Sequence, residues 1–164
     1  MREDVAVDSW VPFRRSDTAQ VVDLVRAVAA ARDPGEHGQG VEVVVEAPRE
    51  RLWRGRWWRA LFNRDGTLAQ ARIVVTRDGG EVRYPFDIQL VTAHGADAAH
   101  RLGRRTGWAV SNSNGLAFLI QKGTVPGADF EELVTGAVEA LAMLRRQPRD
   151  GGWRARVDRG ITRS

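Results

Sequence analysis

Cysteine is absent from the 164-residue chain, and that one absence removes disulfide staples, thiolate nucleophiles, iron–sulfur clusters and most structural zinc sites. A reducing compartment is consistent with it. Lysine is nearly absent too: Lys122 is the only one, so 24 of the 25 basic residues are arginine, which keeps its proton at any ordinary pH. The sequence pI of about 10.8 therefore exaggerates the basicity of a chain whose formal net charge is only +4. Long apolar runs are lacking as well. Crossing a bilayer takes roughly 20 apolar residues, and the most apolar helical stretch is interrupted by Thr135, Gly136 and Glu139. The first ten residues carry Glu3, Asp4 and Asp8 where a secretory signal needs a basic stretch and then an unbroken apolar run. A cytoplasmic location is expected.

Catalytic signatures are also missing: no Gly-x-Ser-x-Gly elbow, Walker loop, dinucleotide fingerprint or His-Glu-x-x-His is present. The histidines, His37, His94 and His100, lack the i, i+4 spacing of a helical zinc pair and read as surface or loop residues. Glu131 and Glu132 fall in the first turn of a helix, where carboxylates complement the dipole. No enzymatic activity, cofactor or metal is expected. What remains is binding to another macromolecule.

A chain of this length buries roughly two-thirds of its unfolded surface on folding, enough for one real core. Asp17 and Gln20 have capping-box spacing ahead of Val21, Leu24, Val25 and Val28, which share one helical face until Asp33, Pro34 and Gly35 end it. Val41, Val43 and Val45 alternate with Glu42 and Glu46 as a strand. From Trp57 to Leu90 a three-stranded meander is predicted, with reversals at Asn63 to Gly66 and Arg77 to Gly80. Its third strand aligns Val82, Tyr84, Phe86, Ile88 and Leu90, and Pro85 points to an edge or to the solvent side. A short helix, Ala96 to Arg105, precedes a second hairpin turning at Asn114-Gly115. The last helix, capped by Asp129 with Glu132, carries a stripe of Phe130, Leu133, Val134, Ala137, Leu141 and Leu144 that must face a sheet. The expected fold is thus α+β, in the order α-β-βββ-α-ββ-α, with a single domain over residues 1–148. Residues 149–164 read as a basic, flexible tail whose removal leaves the fold intact, with Trp153 and Val157 as candidate anchors.

Charge is segregated along the chain. Residues 1–48 hold five basic and nine acidic side chains, net −4, whereas residues 49–64 hold six Arg and one Glu, net +5. In that second stretch Arg51, Arg54, Arg56 and Arg59 interleave with Trp53 and Trp57, a mixture able to neutralise phosphates and stack on bases. The same residues also suit a solvated strand whose Arg heads snorkel over apolar surface, or a ragged amphipathic helix on a membrane surface. The solvated strand is the preferred reading. Together with the basic tail, Arg51, Trp53, Arg54, Arg56, Trp57 and Arg59 nonetheless form the candidate binding surface.

The helix around Ala98 to Arg105, the hairpin carrying Leu116, Phe118 and Ile120, and the run from Val125 to Leu133 resemble the end pattern of YbjN proteins. The element order resembles the α-βββ-α-ββ-α plan of YbjN proteins and type III secretion chaperones, with an extra strand at Val41 to Ala47, a longer meander and a basic tail after Pro148 as departures. The resemblance implies a non-enzymatic domain that binds a protein or peptide partner through an exposed sheet edge or a groove beside the last helix. A homodimer is compatible with that build. The alternative is a nucleic-acid-binding module using the Arg/Trp segment and the tail.

Overall fold

The computed structural model describes residues 9–31, 41–49, 69–75, 83–93, 96–114, 116–145 and 148–159. Among them seven strands, β1 (Val11–Phe13), β2 (Val41–Glu46), β3 (Ala69–Val75), β4 (Arg83–Ala93), β5 (Ala109–Ser113), β6 (Leu116–Pro126) and β7 (Trp153–Arg159), form one sheet. The order across it is β1-β7-β2-β3-β4-β6-β5, and every neighbouring pair is antiparallel. Helices α1 (Ala19–Ala31), α2 (Ala96–Thr106) and α3 (Phe130–Met143) share one face of that sheet. The protein is therefore α+β.

Period-two alternation decides which side each strand residue takes. Val43 and Val45 stand opposite Ile73 and Ala71 on one side and Val157 and Ala155 on the other, and all six belong to the core beneath the helices. The α3 stripe meets this layer as its sequence spacing requires: Phe130, Val134, Ala137, Val138 and Leu141 are buried, and Leu133 is partly so. Asp129 occupies the N-cap position without a side-chain cap bond, because a 3-10 turn over Gly127–Asp129 leads into α3. At the start of α1 the Asp17 carboxylate accepts from the Ala19 amide at 3.3 Å. The hydroxyls of Thr18 and Thr135, 3.2 Å apart, join α1 to α3. Arg145 is buried just past α3 and donates to the Pro48 carbonyl at 2.6 Å, tying the helix end to the exit of β2.

Three expectations change. The strand at Val41, read as an addition to the meander, pairs directly with β3 over Val43–Glu46, so the described meander is β2-β3-β4. The predicted strand around Trp57 and the reversals at Asn63 to Gly66 and Arg77 to Gly80 lie outside the described residues. Pro85 lies in an interior strand, not at an edge, opposite Thr124 of β6, and the described β3 pairing reaches Phe86 opposite Val75.

The third change is the largest. The flexible tail expected from residue 149 onward contains β7, which lies between β1 and β2 and pairs with β2 over six residues, Val41 opposite Arg159 to Glu46 opposite Arg154. Trp153, Ala155 and Val157 are buried. The Trp153 ring lies 6.1 Å from that of Phe13, and its indole N–H donates to the Arg149 carbonyl at 2.7 Å. The segment does have a period: Trp153, Ala155 and Val157 alternate with Arg154, Arg156 and Asp158. Gly151, Gly152 and the arginine content mask it. Arg-bearing strands look like tails because the polar half of the alternation is charged, while the buried half supplies the stabilisation.

Candidate functional site

Two surfaces carry concentrated chemistry, and they differ in whether it is already satisfied. The first is the face of the sheet that none of the described helices covers. There Glu46 on β2 stands opposite Arg154 on β7 and Gln70 on β3. Its carboxylate receives Arg154 Nη2 at 2.9 Å and Arg49 Nε at 3.3 Å on one oxygen, and Gln70 Nε2 at 3.5 Å on the other. The Glu46 side chain is 5% exposed, so its charge is held by donors that leave little room for a ligand. Glu42, four residues back on the same strand, meets Arg72 Nε at 3.6 Å. Burial pushes its carboxyl above the ordinary value, the Arg72 charge opposing and Asp158 adding to the rise. Arg154 and Arg156 stack on Trp10 with guanidinium carbons 4.2 and 4.8 Å from the ring centroid. Cations already stacked on indole and held by carboxylates form a structural ladder rather than an open phosphate site. No group of three His, Asp or Glu side chains among the described residues could hold a metal.

The second surface is the β5 edge, and the local sequence explains why it is there. Gly107, at φ +78°, closes α2 with its amide on the Gly103 carbonyl at 2.8 Å, the left-handed C-cap that glycine favours. The chain reverses into β5 so tightly that a Cβ on Gly103 would overlap Val110 Cγ2 and lie 3.1 Å from the Trp108 carbonyl. At the other end Ser113 pairs with Leu116 across Asn114-Gly115, with Asn114 at φ +51°, the two-residue reversal that the dipeptide favours. In such a hairpin the pair flanking the loop is hydrogen-bonded, so the N–H and C=O groups of Ala109, Ser111 and Ser113 turn toward β6. Those of Val110 and Asn112 turn outward.

The opposite edge is guarded. β1 is three residues long and contains Pro12, both devices that discourage strand addition. The turn after it is pinned by the amides of Arg15 and Ser16, which donate to the Asp150 carbonyl and carboxylate at 2.8 Å each. The Ser16 hydrogen bonds hold the Asp150 carboxyl below its ordinary value. β5 by contrast has five residues, Ala-Val-Ser-Asn-Ser, with no charge and no proline, and all but Val110 are exposed. Beside it on β6, Phe118 and Ile120 are only half-buried.

The six residues of the predicted binding surface, Arg51, Trp53, Arg54, Arg56, Trp57 and Arg59, lie outside the described residues. Arg49, which precedes them, is engaged by Glu46. His100 is exposed on α2, with Nε2 3.2 Å from the Asn112 amide nitrogen; His37 and His94 also lie outside the described residues. Sequence reading anticipated an exposed edge without locating it. The signal was a strand of small polar residues ending in Asn-Gly, which lacks the charges that ordinarily protect an edge. No helix among the described residues is long and apolar enough to cross a membrane. Comparison with protein-family models, with curated proteins and with solved structures finds no match.

Proposed function

We propose that this is a non-enzymatic binding domain that takes an extended segment of a partner protein as a further strand on β5. One observation carries the reading: the two edges of a single sheet are treated oppositely, β1 being short and proline-bearing and β5 being longer, uncharged and free of proline. An unguarded edge is an aggregation liability unless it has an occupant, and strand addition supplies main-chain hydrogen bonds independent of the partner's side chains. Element order supports it as well. From α1 to α3 the described elements run α-βββ-α-ββ-α, the plan of the chaperone-like families that the sequence resembles.

The test is selection of a displayed peptide library on the full chain, counter-selected on Asn112→Pro, which removes one outward donor without touching the β6 ladder. Selected peptides should slow amide exchange at Val110 and Asn112. Binders that retain their affinity for Asn112→Pro, or a selection that enriches nothing, would overturn the proposal.

A further inference from the structure

We infer that the segment accepted by β5 is acidic, with Asp or Glu at alternate positions and apolar residues between them; the inference rests on the edge reading above. It comes from what α2 holds beside that edge. Ala99 and Leu102 are buried and Gly103 sits against Val110, so this side of α2 lies on the sheet. The His100–Asn112 contact of 3.2 Å places the adjacent flank over β5. Arg104 follows His100 by about one helical turn and falls on the same flank. His100, Arg101, Arg104 and Arg105 are all exposed. The arginines form no ion pair with an acidic side chain among the described residues. The single carboxylate of α2, Asp97, is in its first turn, about 10 Å along the axis from Arg104. Three arginines less one aspartate leave this helix at +2.

The spacing favours a particular pattern. Asn112 occupies Nε2 of His100, so Nδ1 is the ring nitrogen left to donate to a carboxylate. Four helical residues separate that donor from the Arg104 guanidinium by about 6 Å along α2. Alternate side chains of an added strand are about 6.8 Å apart on one face, so two carboxylates at i and i+2 reach both. The intervening side chain turns to the other face, over Ala109 and Ser111 and toward the half-buried Phe118 and Ile120, which suits an apolar residue. A second copy of the chain fits worse. Pairing β5 with β5 brings two cationic α2 flanks together, and like charges across strands are destabilising.

Fluorescence anisotropy with a short labelled peptide of alternating Asp and Val, on the full chain, tests this against matched peptides with Asn or Lys in place of Asp. A fourth peptide carries the Asp/Val sequence with alternate amides N-methylated. The Asp peptide should bind about tenfold more tightly than the Asn peptide, the effect of two exposed charge pairs. The Lys peptide should bind more weakly still, and Arg104→Glu should reverse the order of Asp and Lys. The N-methylated peptide should not bind the unaltered protein. Equal binding of the Asp, Asn and Lys peptides, lost on N-methylation, would overturn the acidic preference and leave the edge reading standing. Binding indifferent to N-methylation, or no binding by any peptide, overturns both. Tighter binding of an oligothymidine that Arg104→Glu abolishes would reassign the cationic flank to nucleic acid. A dimer strengthened by Arg104→Glu and dissolved by Asn112→Pro would make the occupant a second copy.

Discussion

Replacing Trp153 with alanine tests the most consequential feature of the fold, the inclusion of β7 in the core. Trp153 is 1% exposed and packs against Phe13 with ring centroids 6.1 Å apart. Truncating a buried Trp or Phe to Ala costs about 3 to 5 kcal/mol, transfer and cavity together. The Arg149 carbonyl that loses its indole donor belongs to an exposed residue and can turn to water, so it adds little. Against a total stability of roughly 5 to 15 kcal/mol the loss is severe. In a chain of this size each kcal/mol moves the melting temperature by about 2 to 4 °C, so a fall of roughly 6 to 20 °C is expected. Far-UV dichroism under heat and urea is the assay, since it does not depend on the indole removed, and Gln20→Ala on the exposed side of α1 is the control. A melting temperature within about 2 °C of that control would show that Trp153 is not in the core and that the residues beyond Pro148 behave as a tail after all.

The remaining predictions follow the same logic. Ending the chain after Pro148 removes the partner of both β1 and β2, and the truncated protein should lose its cooperative urea transition. Gly136→Ala should stabilise by about 0.5 to 1 kcal/mol, because the position is helical and a Cβ there meets nothing within 4 Å. Gly103→Ala should instead cost about 1 to 3 kcal/mol through the clash with Val110, read by denaturation, and should speed amide exchange along β5. Glu42 has its pKa raised by burial, so the folded state binds more protons between the ordinary and the raised value, and stability falls as pH rises through that window. Glu42→Gln should flatten that slope and raise the melting temperature at neutral pH; a lower one would mean that the Arg72 pair outweighs burial.

Helices were the most legible elements, because a wide apolar stripe at helical spacing, as in Phe130 to Leu144, has one way to be buried. Hairpin chemistry was equally plain where a dipeptide dictated positive φ, as at Asn114. Pairing between distant strands was not. Nothing local in Val41–Glu46 reveals that its neighbour is 108 residues further on, where Glu46 meets Arg154. The alternation of β7 is short and its outward half wholly charged, so composition outweighed period. The edge site was harder to read again. Its distinction is the absence of protective residues, and an absence becomes informative only once the sheet order shows β5 to be outermost.

The position of β7 also sets a timetable for synthesis. It follows every other described element in the sequence, yet it is inserted between two that come early, β1 and β2. A nascent chain can form the local hairpin of β5 and β6 and the helices as they emerge, but β2 has one flank unpaired until residues 153–159 have left the ribosome. Sheets closed by such long-range pairings fold slowly, and an unpaired Val-rich strand is where a waiting chain aggregates. Glu42 and Glu46 place charge near both ends of that strand, on the face opposite Val43 and Val45. Before Arg154 arrives, those carboxylates repel the wrong neighbours; once it does, Glu46 joins the correct one.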